Sequence, residues 1–371
     1  MQINKENLKL ISQHTKIEVS KLKSYFCDNK IPVGNDLYTL AKYFNMDITI
    51  FKLKYFNVVH QDMINFLCKN YSFKNTIKEN KIQKFQPDFI SRNGRLYQKD
   101  CVNFLKSIED ERYDLIFADP PFNVNKMYPS EIDDNLKEND YLNWMISWIN
   151  ELVRTLKTGG ALFIWNLPKW NIRVVEHLCQ YLYFKDWIAV DMKQSLPIKG
   201  RLYPSHYSLI YFTKSSKPNF FSPDRIPMQI CPKCYGDLKD YGGHKSKMNS
   251  LGVNITNVWN DIPTVRHNKY KRRKSANELS IKLLDRIIEM ASKPGDLIFD
   301  PFGGSGVTYI VAELKNRRWE GTEIGPLNEI IARFNILDVE KEILENYRRN
   351  INCLFTDKTK TERIKRKLWV K

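Results

Sequence analysis

Two segments of the chain combine residue types that can do chemistry together. The first is Ile116-Phe117-Ala118-Asp119-Pro120-Pro121-Phe122-Asn123, an apolar strand pattern running into an acid, two prolines and an aromatic. Prolines fix φ and remove backbone donors, which leaves a rigid turn rich in acceptors. An exocyclic base amine offers hydrogens, so the Asp119 carboxylate and the Pro120 carbonyl suit it, and Phe122 gives a flat face for a base taken out of its helix. Hydrogen bonds that draw those hydrogens out of the ring plane localise the nitrogen lone pair for attack on an electrophile. Taken alone, the segment also reads as a plain strand-to-turn connection.

The second segment is Asp296-Leu297-Ile298-Phe299-Asp300-Pro301-Phe302-Gly303-Gly304-Ser305-Gly306, followed by a helical run over 307–314 and then Glu320-Gly321-Thr322-Glu323. This is strand, glycine-rich turn, helix, strand. Glu323 lies 20 residues past Gly303, the spacing at which such units place a carboxylate on ribose hydroxyls. The glycines are not spaced G-x-G-x-x-G and no phosphate-binding lysine follows. Both details disfavour a dinucleotide and suit a nucleoside without phosphates.

Together the segments carry a resemblance that neither carries alone. Asp119-Pro120-Pro121-Phe122 resembles the D-P-P-Y/F catalytic motif of the DNA adenine-N6 and cytosine-N4 methyltransferases, and Asp300-Pro301-Phe302-Gly303-Gly304-Ser305-Gly306 resembles their D-P-F-x-G-S-G cofactor motif. The catalytic motif comes first, as in the permuted beta group. Tyr97-Gln98-Lys99-Asp100-Cys101-Val102-Asn103-Phe104-Leu105 resembles the segment whose acid, here Asp100, meets the cofactor adenine, with Cys101 beside it. The likeness covers about residues 95–213 and 275–340. Two departures stand out: Lys274-Ser275-Ala276-Asn277-Glu278-Leu279-Ser280 replaces the usual His-Pro-Thr-x-Lys-Pro, and Val307 replaces a common threonine, leaving Thr308 as the nearer hydroxyl.

The resemblance implies S-adenosylmethionine as cofactor, held by Asp100, Cys101, Asp119, Asp300, Phe302, Gly303, Gly304, Ser305, Gly306 and Glu323. It implies Asp119, Pro120, Pro121 and Phe122 as the catalytic residues. The expected reaction is methylation of adenine N6 in double-stranded DNA at one short sequence by base flipping, within a restriction-modification system whose endonuclease would be a partner. Adenine is favoured because Ser-Pro-Pro is the commoner cytosine form. Three alternatives stay open: cytosine N4, an RNA substrate, and a DNA-binding regulator built on a methyltransferase fold.

These motifs need elements to hold them. From about Arg95 short apolar runs alternate with helical segments: residues 115–118, 161–165, 187–190, 208–212 and 297–299. The alternation predicts an α/β fold, a Rossmann-like doubly wound and mostly parallel sheet. The expected boundaries are 1–55 for a small all-α domain, 56–92 for a lysine-rich connector with a helix near 63–70, 93–213 and 276–345 for the catalytic and cofactor halves, 214–275 for an inserted target-recognition region, and 346–371 for a basic tail. Within the first, Leu10 to Phe51 resembles the helix-turn-helix of the XRE/Cro repressors, with Ile17-Glu18-Val19-Ser20-Lys21-Leu22 entering the recognition helix. A small packing or dimerisation bundle would show the same periodicity.

The formal net charge is +17, which suits a polyanionic partner. Residues 193–274 hold 16 Lys and Arg against 4 Asp and Glu, a net of +12. Lys199, Arg201, Arg266, Lys269, Lys271, Arg272, Arg273 and Lys274 are the expected DNA contacts, mainly to phosphates. Cys231 and Cys234, with His244 and His267, provide one C-x-x-C and no common finger spacing, so two thiols are expected rather than zinc. Seven scattered cysteines, no apolar run of membrane-spanning length and no signal-peptide core predict a cytoplasmic protein away from membranes, with a dimer open.

Overall fold

Apolar residues at helical spacing build the first of two units, which span Met1–Lys81 and Ile82–Lys371 in the computed structural model. The structure describes residues 5–27, 32, 34–56, 85–124, 134–192, 199–200, 202, 204–228, 238–239, 242–265 and 278–367. In the first unit, α1 (Lys5–Thr15), α2 (Val19–Cys27), α3 (Gly34–Tyr43) and α4 (Ile48–Phe56) bury Leu8, Ile11, Leu22, Leu40 and Phe51 together. Lys16, at φ +58, turns the chain between α1 and α2. The expected helix near 63–70 lies outside the described residues.

The second unit is a nine-stranded sheet between helices. In chain order it contains β1 (Phe89–Ile90), β2 (Gly94–Gln98), α5 (Cys101–Leu105), β3 (Tyr113–Ala118), α6 (Glu138–Thr155), β4 (Leu156–Asn166), α7 (Pro168–Leu178), β5 (Tyr183–Asp191) and β6 (His206–Thr213). After these come β7 (Arg225–Ile226), β8 (Val253–Asn254), β9 (Val258–Trp259), α8 (Ile281–Ala291), β10 (Leu297–Asp300), α9 (Val307–Leu314), β11 (Arg318–Glu323), α10 (Asn328–Phe334), α11 (Leu337–Arg349) and α12 (Asp357–Lys365). The strand order is β1-β2-β11-β10-β3-β4-β6-β5-β9, with β7 and β8 pairing apart. From β2 to β4 every pairing is parallel; β6 runs antiparallel to both β4 and β5.

Period-two alternation splits each central strand between two cores. Leu115 and Phe117 of β3 face the layer of Leu284 and Ile287 on α8 and Ile310 on α9, whereas Ile116 and Ala118 face that of Met145 and Ile149 on α6 and Val174 on α7. Helix α6 places Tyr141, Met145, Trp148, Ile149 and Leu152 on one buried stripe. Acids in its first turn and Arg154 in its last suit the helix dipole. Pro168 begins α7, where its missing N–H costs nothing, and Ser280 caps α8 by accepting from Lys282 N.

The inserted region is fastened to this scaffold by buried charges. Asp261 accepts from Arg286 through both oxygens at 2.9 and 2.6 Å and pairs with Lys282 at 2.7 Å; Asp224 pairs with Arg286 at 3.3 Å and with Arg348. Removing one member of such a buried set leaves an uncompensated charge, which typically costs about 3–5 kcal/mol. Among the described residues no helix is long and apolar enough to cross a membrane, and no group of three or more His, Cys, Asp or Glu is placed to hold a metal. Cys231 and Cys234 lie outside the described residues.

Candidate active site

Strands β10 and β3 lie side by side, with Ile298 opposite Leu115 and Phe299 opposite Ile116. From β10 the chain goes on to β11 on one side, and from β3 to β4 on the other. This is a topological switch point, where the carboxyl ends of parallel strands leave a crevice. A cavity of about 280 Å³ occupies it, lined by residues of both motifs: Asp119, Pro120, Pro121 and Phe122 after β3, and Phe302 and Gly304 after β10. Glu323, at the end of β11, and Asp100 and Cys101, at the start of α5, line it too.

The catalytic turn is fixed from several directions. Pro121 O accepts from Tyr141 Oη at 2.5 Å, and Phe122 O accepts from Trp170 Nε1 at 2.8 Å. Asn123, at φ +55, a conformation asparagine tolerates better than most residues, donates its N–H to Asp134 at 2.7 Å and exchanges side-chain bonds with Leu136. The backbone from Pro121 to Asn123 is therefore held in a prebuilt frame, the kind of arrangement that lets acceptors act without reorganising.

The glycine turn follows different rules. Gly304, at φ +54, donates its N–H to Glu323 Oε2 at 2.8 Å, while Gly325 N–H donates to Oε1 at 2.8 Å. A Cβ on Gly306, at φ +76, would come within 2.6 Å of Ile330 Cγ2, so backbone and helix approach as only glycine allows. Four residues of this motif assigned to the cofactor are not on the cavity wall: Asp300, Gly303, Ser305 and Gly306 sit behind it. The Asp300 carboxylate faces its own turn, accepting from Phe302 N at 2.9 Å and from Thr308 Oγ1 at 2.5 Å.

Burial pushes the Asp300 carboxyl up to about 7, and the Glu323 charge adds to the rise against the pull of Thr308 and the Phe302 N–H. An unfolded aspartate titrates near ~3.9. Between those values the folded chain holds a proton that the unfolded chain has lost, so this group's contribution to stability falls as pH rises from about 4 to about 7. Asp300→Asn is expected to remove that dependence. Its stability relative to the parent should climb with pH across the window, with a slope up to ~1.4 kcal/mol per pH unit. Chemical denaturation of both proteins at pH 5, 6, 7 and 8 measures it; parallel curves would refute the assignment. Burial, aided by Asp100, pushes the Cys101 thiol up to about 12, which makes it a neutral wall residue rather than a nucleophile.

Several wall residues went unassigned in the sequence, Trp165, Asp191, Tyr207 and Glu278 among them. Trp165 is the last residue but one of β4, Asp191 ends β5, Tyr207 is the second residue of β6, and Glu278 precedes α8. Pairing of Val190 with Tyr207, and of Asn166 with Ser208, brings the first three to the edge that carries Asp119. Tyr207 lies 5.9 Å from Phe122 and 4.9 Å from Trp165 between ring centroids, so an aromatic wall adjoins the catalytic turn. For the first three the signal was position near the ends of strands that meet one edge. Of the expected DNA contacts, Lys199 is exposed in a turn. Arg201, Arg266, Lys269, Lys271, Arg272, Arg273 and Lys274 lie outside the described residues.

Among the described residues the lining includes five acids, Asp100, Asp119, Asp191, Glu278 and Glu323, against one base, Lys99. An acidic pocket in a chain of net charge +17 repels phosphates and suits a cation. S-adenosylmethionine, a nucleoside bearing a sulfonium and an ammonium but no phosphate, fits that donor set. The sheet order, the glycine turn and the adjoining acceptor turn define a nucleoside-dependent methyltransferase, and S-adenosylmethionine is its methyl donor. Residues 113–332 match the DNA methylase model of the N6/N4 methyltransferases, and the chain belongs to that family.

Relatives agree. The chain is 47% identical over 307 residues to the type II methyltransferase M.BamHI of Bacillus amyloliquefaciens, covering 82% of this chain and 72% of that protein. It is 32% identical over 227 residues to the DNA adenine methyltransferase YhdJ of Escherichia coli K12, covering 61% and 76%. The solved PvuII DNA methyltransferase (cytosine-N4-specific) shares the fold, with a TM-score of 0.50 and 19% identity over 70% of this chain and 95% of that one.

Proposed function

We propose that the chain is a type II DNA amino-methyltransferase of a restriction-modification system, acting on an exocyclic amine of a base flipped out of double-stranded DNA. The observation that carries this is the meeting of the Asp119–Phe122 turn with Gly304 and Glu323 in one cavity at adjacent strand ends. S-adenosylmethionine supplies an electrophilic methyl group there. Asp100 and Glu323 offer carboxylates to the nucleoside hydroxyls and amine; Phe302, backed by Trp148 at 5.1 Å, offers a flat apolar face. Asp119 and the Pro120 carbonyl accept the hydrogens of the target amine, and Phe122 stacks on the base. The flipped base costs a few kcal/mol of lost stacking, which aromatic contacts of ~1–3 kcal/mol each can offset.

The same turn serves adenine N6 and cytosine N4, because both amines present two hydrogens in the ring plane. The aspartate at position 119 and the adenine enzyme YhdJ support adenine. The cytosine-N4-specific PvuII enzyme, with the same fold, supports a second reading, cytosine. The test is incubation with labelled S-adenosylmethionine and mixed-sequence duplex DNA beside a matched RNA, followed by mass spectrometry of the digested product. Methylated duplex is the expected result, and the product nucleoside names the base. Label in RNA alone would replace DNA as substrate. No transfer at any salt concentration would leave a DNA-binding regulator. The basic run over 269–274 is assigned to DNA contact on its charge; the helical first unit is read either as a second DNA contact or as a packing and dimerisation bundle, and an endonuclease partner belongs to the same reading.

A further inference from the structure

We propose that Arg333 is the positioning residue for the methyl-donor end of the cavity, tying the glycine turn to the Glu278 wall through one guanidinium. This rests on the reading of that end given above. Arg333 is 3% exposed. Its Nη1 donates to the Ser305 carbonyl at 2.9 Å and lies 3.4 Å from Glu278 Oε1, while its Nε donates to Glu340 Oε1 at 3.0 Å.

Each partner leads to a different part of the site. Ser305 lies between Gly304, which lines the cavity, and Gly306, which opens α9 in a left-handed conformation. Glu278 lines the cavity and is bridged through its backbone to Val265, another wall residue from the far end of the insertion. Glu340, 2% exposed on α11, holds the guanidinium from behind.

Helix α10 thus braces the turn at two adjoining points. Ile330 and Arg333 are three residues apart and share a helix face. Ile330 fills the space that a Cβ on Gly306 would need, at 2.6 Å, and adjoins Gly303, whose Cβ would meet it at 3.3 Å. A packing role alone would be met by a second apolar side chain, since burying three ions is costly unless each is held in good geometry. A planar fork that reaches a carbonyl and two carboxylates at once fixes orientation as well as position, which lysine cannot reproduce.

The test uses the full-length protein, with Arg333→Lys and Glu278→Gln, and three measurements: calorimetric binding of S-adenosylmethionine, steady-state kinetics on a methylatable duplex, and thermal melting. Arg333→Lys is expected to weaken cofactor Kd and KM about tenfold, the size of one charge-assisted hydrogen bond. Its kcat at saturating cofactor should stay within about twofold and its KM for duplex should not move, because the brace sets the donor end and not the catalytic turn. Glu278→Gln should shift cofactor affinity the same way by less. The proposal is overturned if a folded Arg333→Lys binds cofactor like the parent, or loses kcat and duplex affinity in the same proportion as cofactor affinity. Should Arg333→Lys not fold, parent-like cofactor affinity in Glu278→Gln overturns it. Failure of the parent itself to bind S-adenosylmethionine would instead sink the reading of the cavity on which the proposal rests.

Discussion

Asp119→Ala is expected to lower methyl transfer by about 10²–10³ or more while leaving S-adenosylmethionine binding nearly intact, since one preorganised acceptor in a water-poor site is worth that much. Pro121 and Phe122 are held by Tyr141 and Trp170 through their carbonyls, and Asn123 by Asp134 and Leu136. These bonds remain when the Asp119 carboxylate is removed, so the turn should keep its shape. Glu323 and Asp100 reach the cavity from other elements, which is why cofactor affinity should survive. Single-turnover rates and calorimetric Kd, measured on the same preparations, separate the two effects. Near-normal turnover would mean that another group accepts the amine hydrogens.

For Glu323→Ala the expected loss is in binding. Its two oxygens accept the Gly304 and Gly325 N–H groups at 2.8 Å each, so one carboxylate shapes the turn and presents itself at the cavity wall. A charge-assisted hydrogen bond is worth about 1.5–3 kcal/mol. In the proposed site the same carboxylate also accepts from the nucleoside hydroxyls. Losing two such bonds to the cofactor at the low end gives ~3 kcal/mol, about a hundredfold in Kd for S-adenosylmethionine, while the lost backbone bonds lower the stability of the turn. Glu323→Gln should do little better, because an amide nitrogen would meet one of the two backbone donors. Titration calorimetry decides it, and an alanine variant within threefold of the parent would remove Glu323 from the cofactor site.

Much of the fold was legible because its signals are local. Runs such as 115–118 and 297–299 are buried on both faces, so they read as continuous apolar strands, and the helices between them carry a 3.6-residue stripe. The two motifs were legible for the same reason: a proline pair or a positive-φ glycine constrains the backbone within a few consecutive residues. Thr308 was singled out only because Val307 displaced a common threonine; in the structure its hydroxyl reaches Asp300.

What the chain's order alone could not decide is which strand ends meet. Phe299 and Ile116 are neighbours in the sheet though far apart in sequence, and that pairing is chosen by burial of whole helices against both faces. The reversal of β6 brings Tyr207 to the edge where β4 and β5 leave Trp165 and Asp191. No window of sequence contains those three with Asp119. Tertiary packing also turned Asp300 inward onto Phe302 and Thr308 and let Glu278 reach the cavity beside Arg333. A residue's type and its near neighbours set what it can do, because backbone dihedrals and hydrogen-bond capacity are local properties. Whether it faces a ligand or a neighbouring strand depends on long-range pairings, whose free energy comes from surfaces brought together only when the chain has folded.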